Sequence, residues 1–219
     1  LYLKTKSGCG VTARVNDSIV KSFSLSPSSN VQFVETLMPS TSISYSVNGS
    51  GNTLYGAALE TDNGIVLDNF SMRGSSGVTL STLNAGMLSD FARIRPYDLI
   101  IFQFGTNAIT AKTNEKAMEM YMGQMKKVVD LFKRCFPGTS ILIVSAPDRG
   151  ARVNGTIGTM RTLPLLVGYQ EQLASQCGVG FYNLFQSMGG EGAMGRLSEK
   201  NMCSKDFVHI SHKAGKGVA

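Results

Sequence analysis

From about residue 63 onward, near-continuous apolar runs alternate with segments of helical spacing, and few architectures accommodate that alternation. "GIVLDNF" (64–70), "DLIIFQF" (98–104), "SILIVSA" (140–146) and "GVGFYNL" (178–184) have the length and composition of buried strands. Between them, "VTLSTLNAGMLSDFARI" carries Leu80, Leu83, Met87, Leu88 and Phe91 at helical spacing. "NEKAMEMYMGQMKKVVDLFKRCF" is a long amphipathic helix stopped by Pro137-Gly138, and "LPLLVGYQEQLASQC" is a third helix. Strands that read as unbroken apolar runs are covered on both faces, which predicts an α/β parallel sheet between helices over residues 63–219.

Residues 1–62 have a different period. "VTARV", "SIVKSFSL", "VQFVETL", "SISYSV" and "TLYGAALE" are short strand-like runs separated by the turn clusters "NDS", "SPSSN", "PSTS" and "NGSGN". Five or six strands predict part of a β-sandwich or jelly roll, fewer than a complete one. The opening "LYLKTK" already alternates as a strand does, so the expectation is a processed or truncated piece of a longer chain.

Composition excludes several function classes. No apolar run approaches the roughly 18 residues needed to span a bilayer. The net charge of +6 is modest, and Lys126, Lys127, Lys133 and Arg134 fall in one helical stretch that reads as a solvated face. Aromatic and basic residues do not interleave as in a nucleic-acid binder. Cys9, Cys135, Cys177 and Cys203 have no CxxC spacing, which argues against zinc; the sequence favours at most one disulfide, Cys177–Cys203 ahead of other pairs.

In a parallel sheet the ligand lies beyond the carboxyl ends of the strands, so the loops there carry the information. "SMRGSSG" (71–77) is a small-residue turn whose backbone N–H groups can face a substrate oxygen, or simply a tight strand-to-helix turn. In "FGTNAI" (104–109), Asn107 can donate to an oxyanion or close a turn. "DFVHISHKAG" (206–215) holds both histidines of the chain. Asp206 precedes His209 by three residues, a spacing that lets a carboxylate reach imidazole Nδ1–H; the bland alternative is a surface histidine near a chain end. His212 reads as a bystander in the first turn of a closing helix.

Together these motifs resemble the SGNH (GDSL-like) hydrolase family, which implies a flavodoxin-like α/β fold. Its second block, similar to "RGSSGVT", implies Gly77 as an oxyanion-hole N–H. Its Gly-x-Asn block resembles Gly105-Thr106-Asn107, implying the Asn107 amide as the second donor, and its Asp-x-x-His block resembles Asp206-Phe207-Val208-His209, implying a base and its orienting acid. The family's Gly-Asp-Ser nucleophile block is absent from residues 1–219; "LSD" at 88–90 has the wrong order, and Ser75 and Ser76 belong to the oxyanion loop. Bacterial members such as peptidoglycan O-acetylesterases and related carbohydrate esterases carry a β-sandwich between the first and second blocks. Residues 1–62 resemble the second part of such an insert.

The resemblance therefore implies a serine esterase of acyl, foremost O-acetyl, esters on a carbohydrate or cell-wall polymer. Its nucleophile would lie upstream of Leu1, on an N-terminal segment or fragment of the same protein. It implies no metal or organic cofactor and a periplasmic or secreted setting. The alternatives are a non-catalytic glycan-binding module on the same scaffold, and a lipase or thioesterase.

Overall fold

The computed structural model describes residues 1–61, 63–153 and 155–218. The chain divides into two compact units: Leu1–Phe70 with Asn84–Pro96, and Ser71–Leu83 with the chain from Tyr97 onward.

The first unit is built from β1 (Tyr2–Thr5), β2 (Cys9–Val15), β3 (Ser18–Leu25), β4 (Gln32–Phe33), β5 (Ile43–Asn48), β6 (Asn52–Gly56) and helix α1 (Ala85–Ile94). They form two antiparallel sheets, in the orders β4-β1-β6 and β3-β2-β5. Along β2, buried Cys9, Val11, Ala13 and Val15 alternate with half-buried residues, the period-two pattern of a strand with one face on a core. Leu3, Cys9, Val11 and Val34 form that core.

Two segments, 64–70 and 78–94, differ from the sequence expectation. The run 78–94 is not one helix: a single 3₁₀ turn spans Val78–Thr82, and α1 starts afresh at Asn84, whose side chain accepts the Met87 N–H. A capping asparagine satisfies an otherwise orphaned N–H and so favours a new start over continuation. The run 64–70 is not a strand. Among the described residues it joins no sheet, and Ile65, Leu67 and Phe70 are 99%, 83% and 80% exposed. Apolar composition alone does not make a strand, because the ladder needs a neighbour. Arg95 anchors this stretch instead, forking onto Asp68 at 2.6 and 2.8 Å, pairing with Glu60 and donating to the Tyr2 hydroxyl.

The second unit contains β7 (Leu99–Phe102), α2 (Glu115–Cys135), β8 (Ser140–Val144), β9 (Gly150–Val153), β10 (Thr156–Thr159), α3 (Leu163–Cys177), β11 (Gly180–Tyr182), α4 (Leu184–Ser187), α5 (Ala193–Glu199) and α6 (His212–Val218). β7, β8 and β11 pair in parallel in the order β11-β8-β7, as alternating apolar strands and helices predict. β9 and β10 make an antiparallel hairpin that the sequence reading did not include. Asn114 caps α2 by accepting the Ala117 N–H, and Pro137-Gly138 follows its end. The buried face of α2 (Met118, Met122, Met125, Val128, Val129) packs with Leu163, Leu166 and Leu173 of α3 onto Phe102, Ile141 and Ile143 of the sheet. Cover on both faces was expected. Leu99 and Ile101, which alternate with the core-facing positions of β7, are 48% and 50% exposed, so this edge strand is covered on one face.

All four cysteines are free thiols, so Cys177–Cys203 is not a bridge. Cys177 is buried in the core at the end of α3, and Cys203 directs its sulfur to the Met194 carbonyl. Among the described residues no helix is long and apolar enough to cross a membrane.

Candidate active site

The site residues named from the sequence all lie in the second unit, in loops around the strand ends. Asp206 and His209 are held by one tight turn. Asp206 Oδ1 accepts the N–H groups of Val208 (3.0 Å) and His209 (3.2 Å), while Oδ2 stands 2.6 Å from His209 Nδ1. Phe207 adopts a left-handed φ of 57°, which folds the chain back so that a carboxylate meets an imidazole three residues on. Ser204 N–H donates to the His209 carbonyl, closing the turn from outside.

The Val208 N–H, then the His209 imidazole, then the His209 N–H hold the Asp206 carboxyl down at about 2. It is therefore ionised at neutral pH. An ionised acceptor on Nδ1 requires the proton on that nitrogen and leaves the Nε2 lone pair free to take another. That is the arrangement of an oriented general base.

The oxyanion candidates meet around Ser75. Gly77 N–H donates to Ser75 Oγ (3.1 Å), and Asn107 Nδ2 donates to the Ser75 carbonyl (3.3 Å). Gly77 has φ 89°, and a β-carbon there would sit 2.7 Å from the Phe104 ring, so the position needs glycine on both counts. The loop is fixed from below by Tyr121, a residue of α2 whose hydroxyl donates to the Ser76 carbonyl at 2.7 Å. Burial pushes the Tyr121 phenol up, which keeps it a donor. Gln170 of α3 spans two strand ends, donating to the Phe104 carbonyl (2.8 Å) and accepting the Ala146 N–H (2.9 Å).

The structure thus brings Asp206 to His209, and Gly77 and Asn107 to the two ends of Ser75. Ser75 and Ser76 serve the loop itself. His212 starts α6. Three supports escaped the sequence reading: Tyr121, Gln170, and the stretch "APDRG" (146–150) beyond β8. The last carried a usable signal, since charged residues beyond the carboxyl end of a buried parallel strand are placed where ligands bind. Tyr121 and Gln170 carried none, because a helix position does not reveal which loop it touches.

A separate hollow, lined by Leu99, Lys133, Ser140 and Gly178, opens at the amino ends of the strands and contains none of these residues. Among the described residues no group of three or more His, Cys, Asp and Glu side chains is arranged to hold a metal.

No family model matches the chain, and no curated protein matches it. Its fold is similar to that of a solved peptidoglycan O-acetylesterase, with a TM-score of 0.66 and 18% sequence identity over 98% of this chain. The chain spans 62% of that protein's length. The likeness is one of fold, a mixed α/β fold with a parallel sheet and helices beside antiparallel sheets, and it is compatible with the SGNH-like architecture.

Proposed function

We propose that the chain is part of an SGNH-type serine esterase that removes acyl groups, foremost O-acetyl, from a carbohydrate or cell-wall polymer. The observation that carries this reading is the 2.6 Å pairing of Asp206 with His209 Nδ1, in the same compact unit as Gly77 N–H and the Asn107 amide. The likeness of its fold to that of a solved peptidoglycan O-acetylesterase supports it.

The nucleophilic serine is supplied from outside residues 1–219, by an upstream segment or fragment of the same protein. Two features favour this. No Gly-Asp-Ser occurs in the sequence, and the outer edge of β7 has no strand beside it among the described residues, while Leu99 and Ile101 stay half-exposed. An open edge on a parallel sheet is a template for one more strand. Release into the periplasm or outside the cell fits a cell-wall substrate.

The chemistry follows from the arrangement. His209 Nε2 removes the serine hydroxyl proton as the oxygen bonds to the ester carbonyl carbon, and Asp206 stabilises the imidazolium that forms. The carbonyl oxygen becomes an oxyanion, which takes the Gly77 N–H from Ser75 Oγ and a hydrogen of the Asn107 amide. The ester C–O bond then breaks, and the departing sugar oxygen takes the proton from Nε2. Water repeats the sequence on the acyl-enzyme, activated by the same nitrogen, and releases the acid and the free serine.

Hydrolysis of an activated acetyl ester by the protein joined to its upstream segment tests the reading. Activity that His209→Ala abolishes supports it. An intact protein that binds glycan without turnover replaces it with the binding-module reading, and a preference for long acyl chains with the lipase or thioesterase reading.

A further inference from the structure

Beyond β8 the chain turns through three consecutive residues that reach in three directions. Asp148 is wholly buried. Its Oδ1 accepts the Thr159 hydroxyl (2.8 Å) and its Oδ2 the Met194 N–H (2.7 Å), so β10 and α5 are tied to it. Thr159 Oγ1 in turn accepts the Gly192 N–H at 2.7 Å. A buried carboxyl is tolerated only when its oxygens are satisfied, and here both are, which makes Asp148 a fixed point.

Arg149 turns the other way. Its Nη1 donates to the carbonyls of Thr106 (2.6 Å) and Ile109 (3.1 Å), the two flanks of the turn that carries Asn107. Gly150 N–H donates to the carbonyl of Phe207 at 2.8 Å, inside the turn that joins Asp206 to His209. A β-carbon on Gly150 would lie 2.7 Å from Phe207 Cβ and 3.3 Å from its carbonyl oxygen, so the backbones are in direct contact.

We propose that Asp148-Arg149-Gly150 is the positioning element of the site, with Arg149 setting the Asn107 turn and Gly150 setting the Asp206–His209 turn from one buried anchor. The oxyanion donor and the base come from loops about 100 residues apart in sequence, and misplacing such groups by about an ångström can slow catalysis about 100-fold. Two adjacent residues on one anchor fix them relative to each other. Arg149 suits its task because a guanidinium carries donors in a rigid plane, whereas a lysine ammonium at the same place is a single mobile point. The inference rests on reading Asn107 and His209 as the two arms of the site.

NMR of the protein tests it with no need of hydrolysis, so failure here is distinct from failure of the esterase reading. Asp206 titrates at about 2 in the intact turn, against an ordinary 3.8. In Gly150→Ala the displaced turn lets the Asp206 carboxyl carbon titrate near 3.8 instead. Adding Phe207→Gly removes the β-carbon struck by the new methyl, suits the left-handed φ, and returns the titration toward 2. Arg149→Lys shifts the Asn107 side-chain amide signals and speeds their exchange with solvent, while Asp206 still titrates near 2.

A folded Gly150→Ala protein with Asp206 unmoved overturns the proposal, as does Arg149→Lys with unchanged Asn107 amide signals. If Gly150→Ala does not fold, the double variant decides: folding with Asp206 near 2 supports the proposal, and failure to fold overturns it.

Discussion

His209 Nδ1 and Asp206 Oδ2 stand 2.6 Å apart across a turn whose other carboxylate oxygen is taken up by two backbone N–H groups. Asp206 is thus a preformed partner rather than one recruited by substrate. A carboxyl held below its unfolded value near 3.9 adds stability that is in full force above that value and is lost as the pH falls through about 2. Urea unfolding of the wild-type protein and of Asp206→Asn should therefore differ most above pH 4 and converge toward pH 2. Curves that stay equally far apart across that window contradict the assignment.

Asn107 donates to one carbonyl through an exposed amide, so its removal costs the fold little. On the proposed esterase reading, Asn107→Ala in the protein joined to its upstream segment should lower kcat about 10²–10³-fold, the usual cost of one oxyanion donor, with a thermal midpoint close to wild type. Loss of activity that merely tracks loss of stability would place Asn107 in the fold and not in the hole.

Tyr121 holds the 71–77 loop through a single 2.7 Å hydrogen bond to the Ser76 carbonyl. Tyr121→Phe keeps the ring in the core but leaves that carbonyl without its donor, a loss of about 1 kcal/mol in unfolding free energy. Amide exchange at Gly77 should quicken with it. Unchanged exchange there would show that the loop stands without Tyr121.

Gly77→Ala is the harsher change, since the new methyl meets Phe104 at 2.7 Å and the backbone keeps a φ of 89°. Strain of this kind costs on the order of 1–3 kcal/mol. The denaturation midpoint should fall accordingly, and a neutral substitution would show that the loop has room to move.

Arg95 pairs with both Glu60 and Asp68. Arg95→Ala should make cleavage by a protease within residues 63–70 several-fold faster, read by mass spectrometry of the fragments. Equal cleavage rates would mean that the stretch is held by other contacts.

The period of the sequence made much of the fold legible. β3 and α3 match their expected spans, and the three paired parallel strands lie within theirs, because composition and turn residues act locally there. "GIVLDNF" misled because a strand exists only through its neighbour, and no local pattern states whether the neighbour is present. The Asp206–His209 contact was legible since a turn of that spacing is itself local. The engagement of both oxyanion candidates by Ser75 was not, nor were the supports from Tyr121, Gln170 and Arg149. Gly77 and Ser75 are only two residues apart, but the other contacts join segments 24 to 66 residues apart, and only the folded chain brings those together.

Labelling with a fluorophosphonate probe, followed by peptide mapping, tests the central claim most directly. Residues 1–219 alone should take no label, while the protein joined to its upstream segment should label on a serine within that segment and lose the label in His209→Ala. A label on a serine within residues 1–219, Ser75 or Ser76 included, would contradict the placement of the nucleophile, and an intact protein that takes no label would contradict the serine esterase itself.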